Sequence, residues 1–399
     1  MRKILTLLIG CAAMAVPMYA AEAETTEAAP EQPIAVAEPA AEAAPAPQEE
    51  STWQKVLAKL PKISGYLQTG WNYTNNKNAT TSSFQAKRLR LIMDGKVGEK
   101  VDFRLQIEAF NGIAGSTNGN GQKNVQVMDA FATWKIIPEF KVRAGQFYTP
   151  LGYENYDISP SSLETVDFSN IVYRMACRNP YEYNFVDYGR DLGVMLIGDI
   201  GDSGKGFRYF HYDFAVTNGS IPCKDDRNNS KDIYASVTIR PIKNFNVKAT
   251  YNWGEYATQD LAGGKGVIGS SARYNPMNRF VVGAWYNNPT GIDLRAEFGL
   301  VKSSKNDVTY VDEKAAYVIA AYHAGKFLPL VRWDMYKDDI NKTTPGANYN
   351  RLMLGCNYQV YKNMTIRLNW GHFMYPSRVE EVVGYDHSEQ IQLMGQFNF

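Results

Sequence analysis

From Lys62 onward the chain alternates. Phe245, Val247, Ala249, Tyr251 and Trp253 are interleaved with Asn246, Lys248, Thr250 and Asn252. Ile292, Leu294, Ala296, Phe298 and Leu300 alternate in the same way with Asp293, Arg295, Glu297 and Gly299. Successive side chains of a strand point to opposite faces, so each such segment has one apolar face and one charged or amide face. The pattern predicts sixteen strands, near 62–74, 84–97, 101–111, 125–136, 139–147, 189–199, 206–217, 231–240, 243–254, 279–288, 291–302, 314–324, 326–337, 348–360, 362–374 and 388–399. Val267 to Tyr274 is assigned to a loop, because an odd count would leave the chain ends on opposite sides.

The connections decide the architecture. Short ones, such as Gly98-Glu99-Lys100 and Ile137-Pro138, alternate with longer ones at 75–83, 112–124, 148–188, 218–230, 255–278, 303–313, 338–347 and 375–387. A sandwich, or two in tandem, would explain the alternation within strands but not the gathering of long loops at one end. An up-and-down meander that closes on itself explains both. The expectation is an all-β, 16-stranded antiparallel transmembrane barrel with short periplasmic turns, long external loops and a third loop folded inward. Rings near strand ends, among them Trp71, Tyr73, Trp134, Phe147, Tyr251, Trp253, Tyr336, Tyr358 and Trp370, are candidates for interfacial girdles. The last strand ends in Phe399, similar to the C-terminal signature read by the barrel assembly machinery of outer membranes.

The N-terminus changes the picture of location. Arg2 and Lys3 precede the apolar run Ile4–Val16, and small residues surround Ala20–Ala23, so residues 1–21 read as a signal peptide. Leu8-Ile9-Gly10-Cys11 is a rival lipoprotein box. Residues 22–50 hold eight Glu, many Ala and Pro, and no base. Such a stretch cannot bury enough apolar surface to order itself, and 22–61 reads as a disordered periplasmic spacer ending in a short helix over 51–60. The formal net charge of +1 therefore hides a body of 40 Lys and Arg against 33 Asp and Glu after residue 50. That excess is too diffuse for a nucleic-acid partner. Mean hydropathy is −0.36, and outside the leader no apolar run is long enough for a membrane helix. Of the cysteines, Cys177 and Cys223 fall in loops on one side and are candidates for a disulfide or for two free thiols.

If the apolar parity faces lipid, the other lines a bore. Basic candidates there are Arg88, Arg90, Arg104, Lys141, Arg143, Lys248, Arg295, Arg332 and Arg367, with Lys96, Lys135, Arg240, Arg279 and Arg351 beside them. Acidic candidates are Asp94, Asp102, Glu108, Asp129, Asp213, Asp293, Glu297 and Asp334. The excess of bases favours anions, unless they merely pair across strands. Loop 148–188 carries Glu154, Asp157, Glu164, Asp167, Glu182 and Asp187 against Arg174 and Arg178, so the constriction expected from it has mixed charge.

These residues resemble the phosphate-selective porin O and P family, in a form typical of Bacteroidetes-like bacteria. The resemblance rests on Gly145-Gln146-Phe147-Tyr148-Thr149-Pro150-Leu151-Gly152-Tyr153-Glu154 at the third loop. It rests also on Arg190-Asp191-Leu192-Gly193-Val194, on Asn218-Gly219 and on Arg88-Leu89-Arg90. It implies a water-filled channel for small hydrophilic or anionic solutes in the outer membrane, a homotrimer, and lumenal arginines that guide anions. The net-acidic loop departs from a dense cationic throat. No cofactor or metal motif and no catalytic constellation stands out. The rival readings are a structural anchor or adhesin tethered through the spacer, and a barrel lipase built on His372.

Overall fold

The computed structural model describes residues 60–110, 125–176, 189–219, 223, 226, 230–255, 276–305, 309–338 and 348–399. The expected signal peptide, nearly all of the spacer, Cys11, Cys177, Arg178 and Val267–Tyr274 lie outside these residues.

Sixteen strands form: β1 (Lys62–Asn76), β2 (Thr80–Val97), β3 (Val101–Glu108), β4 (Gln126–Ile137), β5 (Phe140–Tyr148), β6 (Arg190–Asp202), β7 (Arg208–Thr217) and β8 (Asp232–Ile242). They continue with β9 (Phe245–Trp253), β10 (Met277–Asn287), β11 (Ile292–Lys305), β12 (Thr309–Tyr322), β13 (Phe327–Asp338), β14 (Tyr349–Tyr361), β15 (Met364–Met374) and β16 (His387–Asn398). Each pairs antiparallel with its neighbours in sequence, and β1 pairs with β16 from Tyr66 opposite Asn398 to Asn76 opposite Ser388, which closes the ring. Closure leaves no strand edge unpaired. At the seam Gly65 N donates to Phe399 O at 2.9 Å and Phe399 N donates to Gly65 O at 3.0 Å.

The alternation read from the sequence sorts as expected on the outside. Leu91, Leu105, Val194, Phe214, Val237, Leu294, Phe298, Val318, Val331 and Leu393 are exposed on the outer face, where lipid takes the place of a core. Trp134, Trp253 and Tyr358 are exposed rings near strand ends. Phe147 and Tyr336, expected in the girdles, are instead fully buried: both point inward, against the third loop.

Two long loops are shorter than expected. Residues 75–83 and 303–313 shrink to three-residue connections, because β1–β2 and β11–β12 run on as hairpins. Thr74, Asn75, Thr80, Thr81, Ser82 and Ser83 are polar on both faces, so the extension has no hydrophobic period to reveal it. It is held by polar pairs instead: Trp71 Nε1 donates to Ser82 Oγ at 2.9 Å, and Asn76 Oδ1 accepts from Asn78 N and Ala79 N at 2.9 and 2.8 Å in the turn. The last loop contains a helix, α2 (Ser377–Val383), that periodicity did not show.

The inner face also departs from expectation. Met195, Ile197, Val281, Val301, Tyr317 and Leu330 on β6–β13 point inward, are buried, and form one apolar cluster with Phe147, Leu151, Ile171 and Met175. An inward position can be apolar when it faces a folded segment rather than water. The third loop is that segment.

Candidate functional site

Near the end of β5, which leads into the third loop, one position requires glycine. Gly145 sits at φ 123°, and a Cβ there would lie 2.2 Å from Ala130 O across the sheet, so no other residue fits without displacing β4. Gln146 Nε2 then donates to Val127 O and Met128 O at 3.0 and 2.7 Å. The two ends of the loop are tied where Thr149 N donates to Gly189 O at 2.8 Å and Asn155 Nδ2 donates to Thr149 O at 2.9 Å. A short helix, α1 (Tyr153–Tyr156), follows Gly152, and a π-helical turn spans Ile171–Ala176. The first N–H groups of α1 lack helical partners. Glu297 of β11 supplies them, accepting from Tyr153 N at 2.6 Å, Glu154 N at 3.2 Å and the Tyr317 hydroxyl at 2.5 Å.

From there the loop is bonded to inward side chains around the wall. Thr250 Oγ1 of β9 donates to Pro150 O at 2.9 Å, and Gln68 Nε2 of β1 donates to Pro160 O at 3.1 Å. Gln396 Nε2 of β16 and Arg367 Nη2 of β15 donate to Ser161 O at 2.9 and 2.8 Å. Asn357 Nδ2 of β14 donates to Glu164 O at 2.8 Å, and Asn369 Oδ1 accepts from Val166 N at 2.7 Å. The π-helical turn packs on β11, where Gly299 leaves the space that Met175 and Ile171 occupy.

Charge explains why an acidic loop lies in a basic bore. Each of four loop carboxylates meets a wall cation. Glu154 lies 2.8 Å from Arg332, Asp157 2.6 Å from Lys248 and Glu164 2.6 Å from Arg295, and Asp167 pairs with Lys87. Tyr153 and Tyr317 place their rings beneath the Arg295 and Arg332 guanidinium groups at 4.7 and 4.3 Å. Burial opposes ionisation of Glu164, but Arg295 outweighs it and holds the carboxyl below the usual range. The same contest, with Lys87 as the cation, holds Asp167 well below it.

The nine foremost of the fourteen wall bases read from the sequence face the interior, but in different electrostatic settings. Arg90 is paired with Glu108 at 2.9 Å, Arg104 with Asp94 at 2.7 Å and Lys141 with Asp199 at 2.8 Å. Lys248, Arg295 and Arg332 anchor the loop. Arg88, Arg143 and Arg367 have no ion pair among the described residues. Arg88 Nη1 donates to Gln68 Oε1 at 2.8 Å, Arg143 Nε to Thr133 Oγ1 at 3.0 Å and Arg367 Nη1 to Gln396 Oε1 at 2.6 Å. Arg174 of the loop stacks 5.2 Å from the Tyr336 ring.

The alternation missed Lys87. A β-bulge at Gln68/Thr69 shifts the β1–β2 register there, and Lys87 turns inward beside Arg88. It also missed the half-buried Asp199 and the buried Asp232, Glu313 and Asp338, inward carboxylates near strand ends. Motif residues prove to be scaffold. Arg190 lies 2.5 Å from Asp129 and over the Tyr148 ring, and Asp191 Oδ2 accepts from Gly219 N at 2.9 Å. Cys223 is free. Among the described residues no group of three His, Cys, Asp or Glu side chains is arranged to hold a metal.

On the short-turn side of the loop a cavity of about 610 Å³ remains, lined by Lys62, Lys96, Arg104, Lys135, Lys141 and Arg143 together with Asp94 and Asp102.

A closed sixteen-strand ring with a lipid-like outside, a charged inside and a long connection bonded into the bore defines a porin-type barrel of the outer membrane. A family model described as phosphate-selective porin O and P matches residues 65–187, from β1 into the third loop, and bears out the resemblance over the stretch that holds Arg88–Arg90 and Gly145–Glu154. Solved structures share the fold at low identity. An anion-selective porin from Comamonas acidovorans is 13% identical, with 85% of this chain and 99% of that one covered and a TM-score of 0.58. OmpF of Salmonella typhi is 16% identical over 84% and 97%, with a TM-score of 0.59. OmpT of Vibrio cholerae in its trimer form is 12% identical over 85% and 100%, with a TM-score of 0.53. No curated protein matches the chain in sequence. Family and fold point to a channel rather than an enzyme. His372, the residue a lipase would need, faces outward with Nδ1 2.7 Å from Glu389.

Proposed function

We propose that the protein is an outer-membrane porin through which small hydrophilic solutes diffuse passively, with a preference for anions set by Arg88, Arg143 and Arg367. The observation that carries this is the sorting of the wall: apolar side chains outside, a cluster of charged ones inside a closed ring. An apolar outer band requires lipid, and fixed cations in a narrow bore raise the local concentration of anions. The third loop, held by its four ion pairs, narrows the passage. Phosphate is one anion such guanidinium groups suit, since they bind it bidentately. Cleavage of residues 1–21 after export and assembly into a homotrimer complete the reading; the trimer is supported by the V. cholerae OmpT structure.

The test is the reversal potential of single channels in a salt gradient. Glu at both Arg88 and Arg143 is expected to move it toward cations. Arg90→Gln combined with Glu108→Gln, which removes a neutral pair as a whole, is expected to move it little. An unchanged potential in the double variant removes these residues from the selectivity. A barrel that never conducts favours the anchor reading instead.

A further inference from the structure

The outer face carries a feature that passage of solutes does not use. Three outward positions at the long-loop ends of adjacent strands are lysines: Lys302 on β11, Lys314 on β12 and Lys337 on β13, all exposed. Lys314 and Lys337 stand directly opposite each other in the register. Like charges in that relation repel and weaken a strand pair. Lys302 lies on the same face one strand away, and the directly opposed doublet is Lys314 with Lys337. Asn350 of β14, opposite Met335, adds an amide one step below Lys337.

Height decides what the doublet meets. Below it the outward positions are apolar: Ala316, Val318 and Ala320 on β12, and Val331, Trp333 and Met335 on β13. From Phe327, at the short-turn end, to Lys337 is a rise of about 34 Å along the strand at roughly 3.4 Å per residue. Tilted as barrel strands are, that is about 25 Å across the membrane, the height of the apolar band. The lysines therefore sit at the upper rim of the band, where a lipid carries its headgroup.

Resting on the porin reading, which puts the long loops outside the cell, we propose that Lys314 and Lys337, flanked by Lys302, bind the phosphate of a glycolipid headgroup in the outer leaflet. The anion relieves the repulsion between the paired ammonium groups, and the acyl chains lie on the apolar surface below.

The intact barrel in detergent is titrated with bisphosphorylated lipid A, with its dephosphorylated form and with inorganic phosphate, and binding is read by native mass spectrometry. Single-channel conductance is measured on the same preparations. Wild type is expected to prefer the bisphosphorylated lipid by roughly tenfold. Lys314→Gln with Lys337→Gln is expected to abolish that preference while conductance stays unchanged, and Arg at both positions to restore it. Equal binding of the two lipids, or a preference that survives the Gln pair, overturns the proposal. Displacement of the lipid by inorganic phosphate at equal concentration assigns the site to free phosphate and overturns it too. So does a Gln pair that changes the oligomeric state and leaves lipid binding intact, since the lysines then meet a second copy. A barrel that binds the lipid but does not conduct would refute the porin reading and leave the headgroup site standing.

Discussion

Arg90 and Arg143 share a parity and a charge, yet only one is free to act on a passing ion. Arg90 is held by Glu108, whereas Arg143 lies over the Phe131 ring at 4.3 Å and opens on the cavity. Alternation revealed which residues face inward. It could not reveal pairing, which depends on register between strands. Lys87 shows the limit most sharply, since a single bulge turns it inward against the period. Phe147 was misplaced for a related reason, because an aromatic near a strand end reads alike whether lipid or a folded loop covers it. Gly145 has little conformational freedom, with φ at 123° and no room for a Cβ. Gly145→Ala is expected to add about 1–3 kcal/mol of backbone strain, besides the clash with Ala130 O. The variant should lose heat resistance of the folded band on unboiled gels, and wild-type behaviour there would show that the glycine is dispensable.

At the level of the element, the third loop carries most of what is particular to this chain. Its boundaries and its inward-facing acids were legible as a long segment without strand period. Its bonds to the wall were not, because they join residues up to 235 positions apart, as Gln396 joins Ser161. The loop motif stood out as a block because its residues bind one another and the neighbouring strands. Removing one charge from a buried pair leaves the other uncompensated, at a cost of about 3–5 kcal/mol. Glu154→Gln with Glu164→Gln is therefore expected to loosen the loop and raise both conductance and the size of solute that passes; a conductance equal to wild type would mean the loop is held by its apolar side alone. Acid gives the same reading without mutation. Glu164 and Asp167 have pKa values lowered in the folded state, so their contribution is complete above the ordinary carboxylate range and fades only as pH falls through the lowered values. Asp157 differs, because its burial outweighs Lys248 and raises its carboxyl above the ordinary value. Conductance should therefore rise in two stages on acidification, a first as Asp157 takes up a proton and a second only well below the usual carboxylate window, and a single rise complete within that window would contradict the assignment.

For the whole molecule, closure is the decisive event, and it brings the first strand against the last. The Phe399 ring lies where a Cβ of Gly65 would stand, 2.6 Å away, so the terminal aromatic covers a gap in the opposite strand. Phe399→Ala is expected to lower the yield of closed barrel and its melting temperature; full yield and unchanged melting would show that the seam needs only its backbone bonds. Sixteen strands were countable from the sequence because each must keep one face in lipid. The asymmetry of the interior was not, because it depends on which sector the loop leans against. That asymmetry has an electrical consequence. Six bases and two acids line the pool on the short-turn side of the narrowing, so fixed positive charge is stacked at one mouth of the bottleneck. Ions drawn in from that mouth and from the other meet unequal reservoirs, and current through the protein should flow more easily under one polarity of voltage than the other, as in a leaky diode.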